Sequence, residues 1–82
     1  METYILSEQT INIKEDSIIS TTILGAYATR ELAKQYRANK VYKFNRKNNR
    51  DSIMICSGGA QMVDDGTFAH IFAIEGLYIH EQ

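Results

Sequence analysis

A run of twelve residues without a charged side chain, SIISTTILGAYA at 17–28, leaves this chain few ways to fold. The run is rich in Ile and Thr, whose β-branched side chains favour extended backbone. We therefore predict a well-buried β-strand here, with a bulge or a close backbone approach at Gly25. The sequence contains no proline, so no strand loses an amide donor in that way.

Alternating patterns elsewhere predict further strands. TYIL at 3–6 reads as a first strand, and QTINIK at 9–14 as a second strand or a continuation of the first. Later in the chain, strands are predicted for KVYKFNR at 40–46, SIMICS at 52–57, TFAHIFAI at 67–74 and LYIH at 77–80. DDG at 64–66 is typical of a hairpin turn between two such strands.

Only one segment, TRELAKQYRANK, has the period of a helix. Thr29 is a suitable N-cap, and Asn39 is predicted to end the helix. The predicted apolar face consists of Leu32, Ala33 and Tyr36. Together these patterns predict an α+β fold, a mostly antiparallel β-sheet with one α-helix packed on it.

The length of 82 residues predicts a single domain, 1–82, that buries only about 60–65% of its unfolded surface. Small domains often gain stability from a disulfide, a metal or a second subunit. The single cysteine excludes an internal disulfide, and with two histidines it is too sparse for a structural zinc site. The segments 17–28 and 67–74 are nearly uncharged on both faces, and one short helix cannot cover both. We therefore expect a homodimer or a higher homo-oligomer.

The chain shows no sign of membrane insertion or export. No apolar run approaches the roughly 18–20 residues that span a bilayer. The start of the chain, METYILSEQT, lacks the basic and long apolar regions of a secretory signal. A lone free thiol without an export signal fits a cytoplasmic protein, of the host cell if the protein is encoded by a phage. The alternative is an exported protein whose signal has been removed.

The segment CSGGAQMVDDGTFAH at 56–70 collects residue types found in active sites. Cys56, His70 and either Asp64 or Asp65 could supply a nucleophile, a base and an orienting group. No family motif surrounds the cysteine, and SGGA lacks the Gly-Lys-Ser/Thr ending of a phosphate loop. We therefore predict turns between strands, with no catalytic residue, metal site or cofactor.

Charge is strongly segregated along the chain. Residues 1–29 carry one lysine against four acidic residues, a net charge of −3. Residues 30–50 carry eight basic residues against one acidic residue, a net charge of +7. Residues 51–82 carry five acidic residues and neither lysine nor arginine, a net charge of −5. The total of −1 therefore conceals one strongly basic segment.

This basic segment contains interleaved aromatic side chains and is predicted to form one exposed basic–aromatic face. Such a face attracts anionic partners and could stack on bases or rings. The candidate binding residues are Lys34, Tyr36, Arg37, Lys40, Tyr42, Lys43, Arg46, Lys47 and Arg50. The alternative interpretation is a solvated helix face and a charged hairpin tip, paired with the acidic remainder of the domain.

The run TYIL followed by ILGAYATRELAKQY resembles a layout of small proteins from phages and mobile elements. There, a short strand precedes a strand that ends near Gly-x-aromatic-x-Ser/Thr and caps a helix. The matching residues are Tyr4, Leu6, Gly25, Tyr27, Thr29, Glu31, Ala33 and Lys34, in roughly the first half of the chain. Some small phage proteins inhibit host defences, including CRISPR effectors, by occupying a surface. The resemblance implies that role for this chain and transfers no site residues.

Three functional hypotheses follow. The leading hypothesis is a small non-enzymatic binding protein, a phage-encoded inhibitor that blocks or sequesters a host defence component. Its partner is then a host protein or ribonucleoprotein with an acidic surface. The second is a nucleic-acid or nucleotide-binding module that uses the same face, with binding that weakens steeply in salt. The third is an enzyme that uses Cys56 and His70.

Overall fold

The computed structural model describes residues 1–79 and shows an α+β fold, as predicted, with one helix packed across a five-stranded antiparallel sheet. In chain order the elements are β1 (Glu2–Asn12), β2 (Ser17–Tyr27), α1 (Arg30–Lys47), β3 (Met54–Ile55), β4 (Gln61–Asp64) and β5 (Phe68–Tyr78). A short 3₁₀ turn, Ser57–Gly59, joins β3 to β4. The strand order across the sheet is β2-β1-β5-β4-β3, so β2 and β3 form its two edges.

The long central strand β1 explains the two alternating patterns near the start of the chain. TYIL and QTINIK belong to one strand, because pairing with β5 continues through Ser7 and Glu8. Leu6 lies opposite Ile74 of β5 on one side and Gly25 of β2 on the other. At the far end, β5 runs through Gly76 to Tyr78 without a break. The last predicted segment, LYIH, extends beyond residue 79 and so lies partly outside the part of the chain that the structure describes.

The core lies between α1 and one face of the sheet. Its centre consists of four side chains, Leu6, Val41, Val63 and Phe72. The buried residues of α1 recur every fourth position and are Ala33, Arg37, Val41 and Asn45. Two of these four are polar, so the inward face of α1 is only weakly apolar.

The strand predicted at 40–46 is wrong, because α1 continues through Asn39 as far as Lys47. Val41 is buried and Phe44 packs against the core, and a spacing of three places them on one face of a helix. Tyr42 and Phe44 also alternate with the polar residues Lys43 and Asn45, which is why the local pattern predicted a strand. The predicted strand at 52–57 is also shorter in the structure, where only Met54–Ile55 pairs with β4.

The predicted start of α1 is confirmed. The Leu32 backbone N–H donates a hydrogen bond to the Thr29 hydroxyl oxygen at 3.1 Å, which is the N-cap contact. The helix ends at Asn48, and Asn49 takes a φ of 54°, in the left-handed region that stops helical hydrogen bonding.

Strand β2 is exposed rather than well buried, contrary to the prediction. It is an edge strand with β1 as its one neighbour in residues 1–79. Ile18, Ile19 and Ile23 are 62%, 54% and 70% exposed. The bulge predicted at Gly25 is confirmed, because the register with β1 shifts there. A Cβ at Gly25 would lie 2.5 Å from the Tyr27 hydroxyl oxygen, so the close contact is with a side chain.

Candidate binding surface

All nine candidate residues lie on α1 or in the turn that follows it. Because α1 is a continuous helix with 3.6 residues per turn, residues three or four apart share a row on its surface. By their positions around the helix axis and the cavities they line, the nine residues fall into three groups, and Lys43 and Arg46, three residues apart, are neighbours at the border between the first two. The single basic–aromatic face predicted from the sequence is therefore divided into three groups of residues, of which the first two adjoin.

The first group is an exposed row that we call the lysine ridge, formed by Tyr36, Lys40, Lys43 and Lys47. These residues follow one another at spacings of four, three and four, which places them along about 16 Å of helix. All four are exposed, and the three lysines form no ion pair within residues 1–79. The Tyr36 ring stacks on Tyr27 of β2 with 4.7 Å between ring centroids. The ridge thus lies on the β2 side of the helix.

The second group lies near the end of the helix. Tyr42, Arg46 and Arg50 line a cavity of about 500 Å³ between α1 and the segment before β3. Arg50 forms an ion pair with Asp64 at 3.1 Å. Asn45 also lines this cavity, and its side-chain N–H donates to the Ser52 backbone carbonyl oxygen at 3.3 Å. The side-chain Oδ1 of Asn45 is buried and accepts no hydrogen bond within residues 1–79. This cavity is therefore lined by both apolar and polar side chains, and one of its two arginines is already paired with Asp64.

The third group lies under the first half of the helix. Arg37 is only 8% exposed, so it is not part of an exposed face as predicted. Its guanidinium donates a hydrogen bond to the Gly59 carbonyl oxygen at 3.2 Å. Burial lowers the pKa of the Arg37 guanidinium below its usual value, and the positive charge of nearby Arg30 lowers it further.

Arg37 lines a second, smaller space that we call the basic cavity. Its volume is about 280 Å³, and its lining residues are Arg30, Lys34, Arg37, Gly58, Gly59 and Ile74. Arg30 is not among the candidate residues predicted from the sequence, which places the two glycines in a turn. The spacing of Arg30, Lys34 and Arg37 at i, i+4 and i+7 could have indicated that the three cations share one row.

The candidate catalytic residues have other partners. His70 Nδ1 lies 2.7 Å from a Glu8 carboxylate oxygen and 3.4 Å from the Thr10 hydroxyl. The Cys56 backbone N–H donates to the Ala60 carbonyl oxygen at 2.7 Å, within the turn between β3 and β4. Within residues 1–79, no group of three or more His, Cys, Asp or Glu side chains is placed to hold a metal ion.

Two further findings bear on function. None of the helical segments in residues 1–79 combines the length and the apolar character needed to cross a membrane. Comparison of the chain with protein-family models, with curated proteins and with solved structures finds no match.

Proposed function

We propose that this protein is a non-enzymatic binding protein that attaches to an acidic surface of a partner protein through the lysine ridge. The observation that supports this proposal is a row of three exposed lysines that form no ion pair within residues 1–79, beside an exposed tyrosine. Unpaired charges of one sign along a rigid helix steer an oppositely charged partner and fix its orientation. Tyr36 adds an aromatic contact of the kind enriched at binding surfaces.

The placement of the aromatic rings favours a protein partner over nucleic acid. Single-stranded nucleic acids bind by stacking bases on free aromatic faces next to cations. One face of Tyr36 is covered by Tyr27, and Phe44 packs against His70 with 4.8 Å between ring centroids. Tyr42 lies on a different row, away from the ridge. The chain as a whole carries a net charge of −1, which weakens the attraction for a long polyanion.

We further propose that the acidic surface belongs to a host protein or ribonucleoprotein, which this protein blocks without doing chemistry. This part of the proposal is supported by the layout shared with small phage and mobile-element proteins. A defence component, including a CRISPR effector, is the most specific form of it. The physical requirement is the same in each case, an acidic patch about 16 Å long that can lie along the helix.

The first test is a charge reversal on the ridge. The double variant Lys40→Glu plus Lys43→Glu should bind the partner roughly a hundredfold more weakly, because like charges then face each other at the contact. The matched control is Lys14→Glu plus Lys34→Glu, which changes the net charge equally, replaces two exposed lysines as well, and leaves the ridge and its neighbour Arg46 intact. The amount of partner that each double variant captures from a host-cell extract is measured by quantitative mass spectrometry. Circular dichroism checks that all variants keep the helix.

The same capture separates the protein partner from nucleic acid. We expect the proteins lost by the ridge variant to be retained by the control and to survive nuclease treatment. Binding of purified nucleic acid free of protein, lost in the ridge variant and retained in the control, would assign the ridge to nucleic acid. Equal losses for the two double variants would show that only net charge matters, and would reject the ridge.

A further inference from the structure

The basic cavity holds three positive charges and no negative charge in its lining. Arg30, Lys34 and Arg37 form no ion pair within residues 1–79, where the one arginine or lysine paired with a carboxylate is Arg50, with Asp64. Arg37 is the most buried of the three, and its one acceptor is a backbone carbonyl oxygen. The Arg30 guanidinium lies over the Tyr4 ring, 5.1 Å from its centroid.

This arrangement is unfavourable for the protein alone. Like charges three or four residues apart on a helix repel each other. A cation taken out of water without a carboxylate costs stability, because one neutral acceptor does not replace its hydration. An anion bound in the cavity would remove both penalties at once.

We propose that the basic cavity binds the phosphate group of a small phosphorylated molecule. The planar fork of arginine matches two phosphate oxygens, and a phosphate monoester carries close to two negative charges at neutral pH. Gly58 and Gly59 both have positive φ and place no side chain between the backbone and the cavity. The volume of about 280 Å³ holds a phosphate with a sugar-sized group, for which Ile74 provides an apolar wall.

This proposal goes beyond the proposed function, because the cavity and the lysine ridge lie on different rows of the helix. Calorimetric titration with inorganic phosphate, ribose 5-phosphate and ribose tests it, with the full chain in low salt. We expect ribose 5-phosphate and inorganic phosphate to bind and ribose not to bind. Tighter binding of ribose 5-phosphate than of phosphate would assign the remaining volume to the sugar, and equal binding would restrict the ligand to the phosphate group.

Variants locate the binding. Lys34→Gln should weaken ribose 5-phosphate binding about tenfold or more, since one charged contact is lost. Lys40→Gln, the same change on the lysine ridge, is the matched control and should have no effect. Arg37→Met should abolish binding while the melting temperature stays the same or rises, because an unpaired buried charge is replaced by an apolar chain of similar size. Absence of phosphate binding at millimolar ligand, or equal effects of Lys34→Gln and Lys40→Gln, would overturn the proposal.

A second, independent observation concerns the free edge of β2. The strand has eleven residues, Ser17–Tyr27, with no charged side chain and no proline. Natural edge strands usually carry lysine or proline, or are very short, because an exposed edge offers unpaired N–H and C=O groups to other strands. The opposite edge, β3, is only two residues long. On that side β4 pairs with β5 only as far as Phe72, so residues 73–77 of β5 have β1 as their one neighbouring strand in residues 1–79. β2 is therefore the longest open edge, although two register shifts interrupt its pairing with β1.

We infer that a second copy of the chain pairs with this edge, β2 against β2, to form a two-fold symmetric dimer. Antiparallel pairing of a strand with its own copy is self-complementary, as a two-fold interface must be. The strand carries no charge, so the two copies do not repel each other along it. Pairing also brings Ile18 and Ile23 of the two copies together, which buries side chains that are now exposed.

Light scattering after size-exclusion chromatography at micromolar concentration should give twice the 9.4 kDa chain mass. Ile23→Lys should give monomer, because a charge on an edge strand opposes pairing. The control is Ile55→Lys on β3, a residue that is 64% exposed and should leave the dimer intact. Hydrogen exchange should show protection of β2 amides that point away from β1. A monomeric wild type, equal effects of the two variants, or fast exchange of those amides in a dimer would each reject this inference.

Discussion

Asp65 organises the turn between β4 and β5 through one carboxylate oxygen. That oxygen accepts hydrogen bonds from the backbone N–H groups of Phe68 at 2.7 Å and Thr67 at 2.9 Å. Asp64 makes a similar contact with the Gly66 N–H at 3.0 Å. The bonds from Phe68 and then Thr67 lower the pKa of Asp65, because they stabilise its ionised form. The turn is therefore stabilised by a charge that acid removes.

The pKa direction fixes the sign of a pH prediction. Since the pKa of Asp65 is lower in the folded than in the unfolded state, ionised Asp65 stabilises the fold above about pH 3.9 and loses this effect as pH falls. Asp65→Asn keeps an acceptor but not the charge. We expect its melting temperature to lie below that of the wild type at pH 7, and the difference to shrink as the pH falls below about 3.9 and through the lower pKa of the folded state. Asp51→Asn is the control, and a difference that does not change with pH would contradict the account.

The length of α1 gives a prediction for Asn39 and Asn49. Asn39 is exposed in the middle of the helix, so Asn39→Ala should raise the free energy of unfolding by about 0.5 kcal/mol through helix propensity. Asn49 lies after the helix and has a positive φ, which alanine adopts less readily. Asn49→Ala should therefore lower the free energy of unfolding by about 1 kcal/mol. Urea unfolding measures both. A lower free energy of unfolding in Asn39→Ala would instead support the shorter helix predicted from the sequence, which ends at Asn39.

Elements fixed by local chemistry were predictable, whereas those fixed by distant contacts were not. The start of α1 follows from the Thr29 cap, and the β4–β5 turn follows from Asp-Asp-Gly, both of which are visible in the sequence. The end of α1 was missed because its inward face includes Arg37 and Asn45, which breaks the apolar period. The exposure of β2 was missed because strand order is set by pairing between distant segments, and an uncharged strand can lie at an edge.

The strand wrongly predicted at 40–46 also limited how well the candidate site could be predicted. The residue set was chosen from the charge of the segment, which does not depend on secondary structure. The division of these nine residues between the lysine ridge and two cavities follows from the spacing of a helix. A strand predicted at 40–46 gives a different spacing and therefore a different grouping. Arg30, Gly58 and Gly59 come together only because the turn after β3 packs against the first half of α1. This contact spans more than twenty residues of sequence and has no local signal.

At the scale of the whole molecule, the basic segment 30–50 forms the helix layer and the turn after it, so positive charge is concentrated on one layer of the fold. Eight of the nine basic residues lie on α1 or in the turn after it, whereas only Glu31 of the acidic residues in 1–79 lies on α1. The helix layer therefore presents positive charge, and the edge strand β2 carries no charged side chain. We expect the two layers to serve different contacts, the helix for anionic partners and the β2 edge for a second copy of the chain.

The central claim, that the lysine ridge is the contact with an acidic partner, is tested most directly by lysine footprinting. The protein is acetylated with and without the captured partner, and the modification of each lysine is measured by mass spectrometry. We predict that Lys40, Lys43 and Lys47 become protected in the complex while Lys14, in the turn between β1 and β2, stays equally reactive. Unchanged labelling of the ridge, or equal protection of Lys14, would contradict the claim.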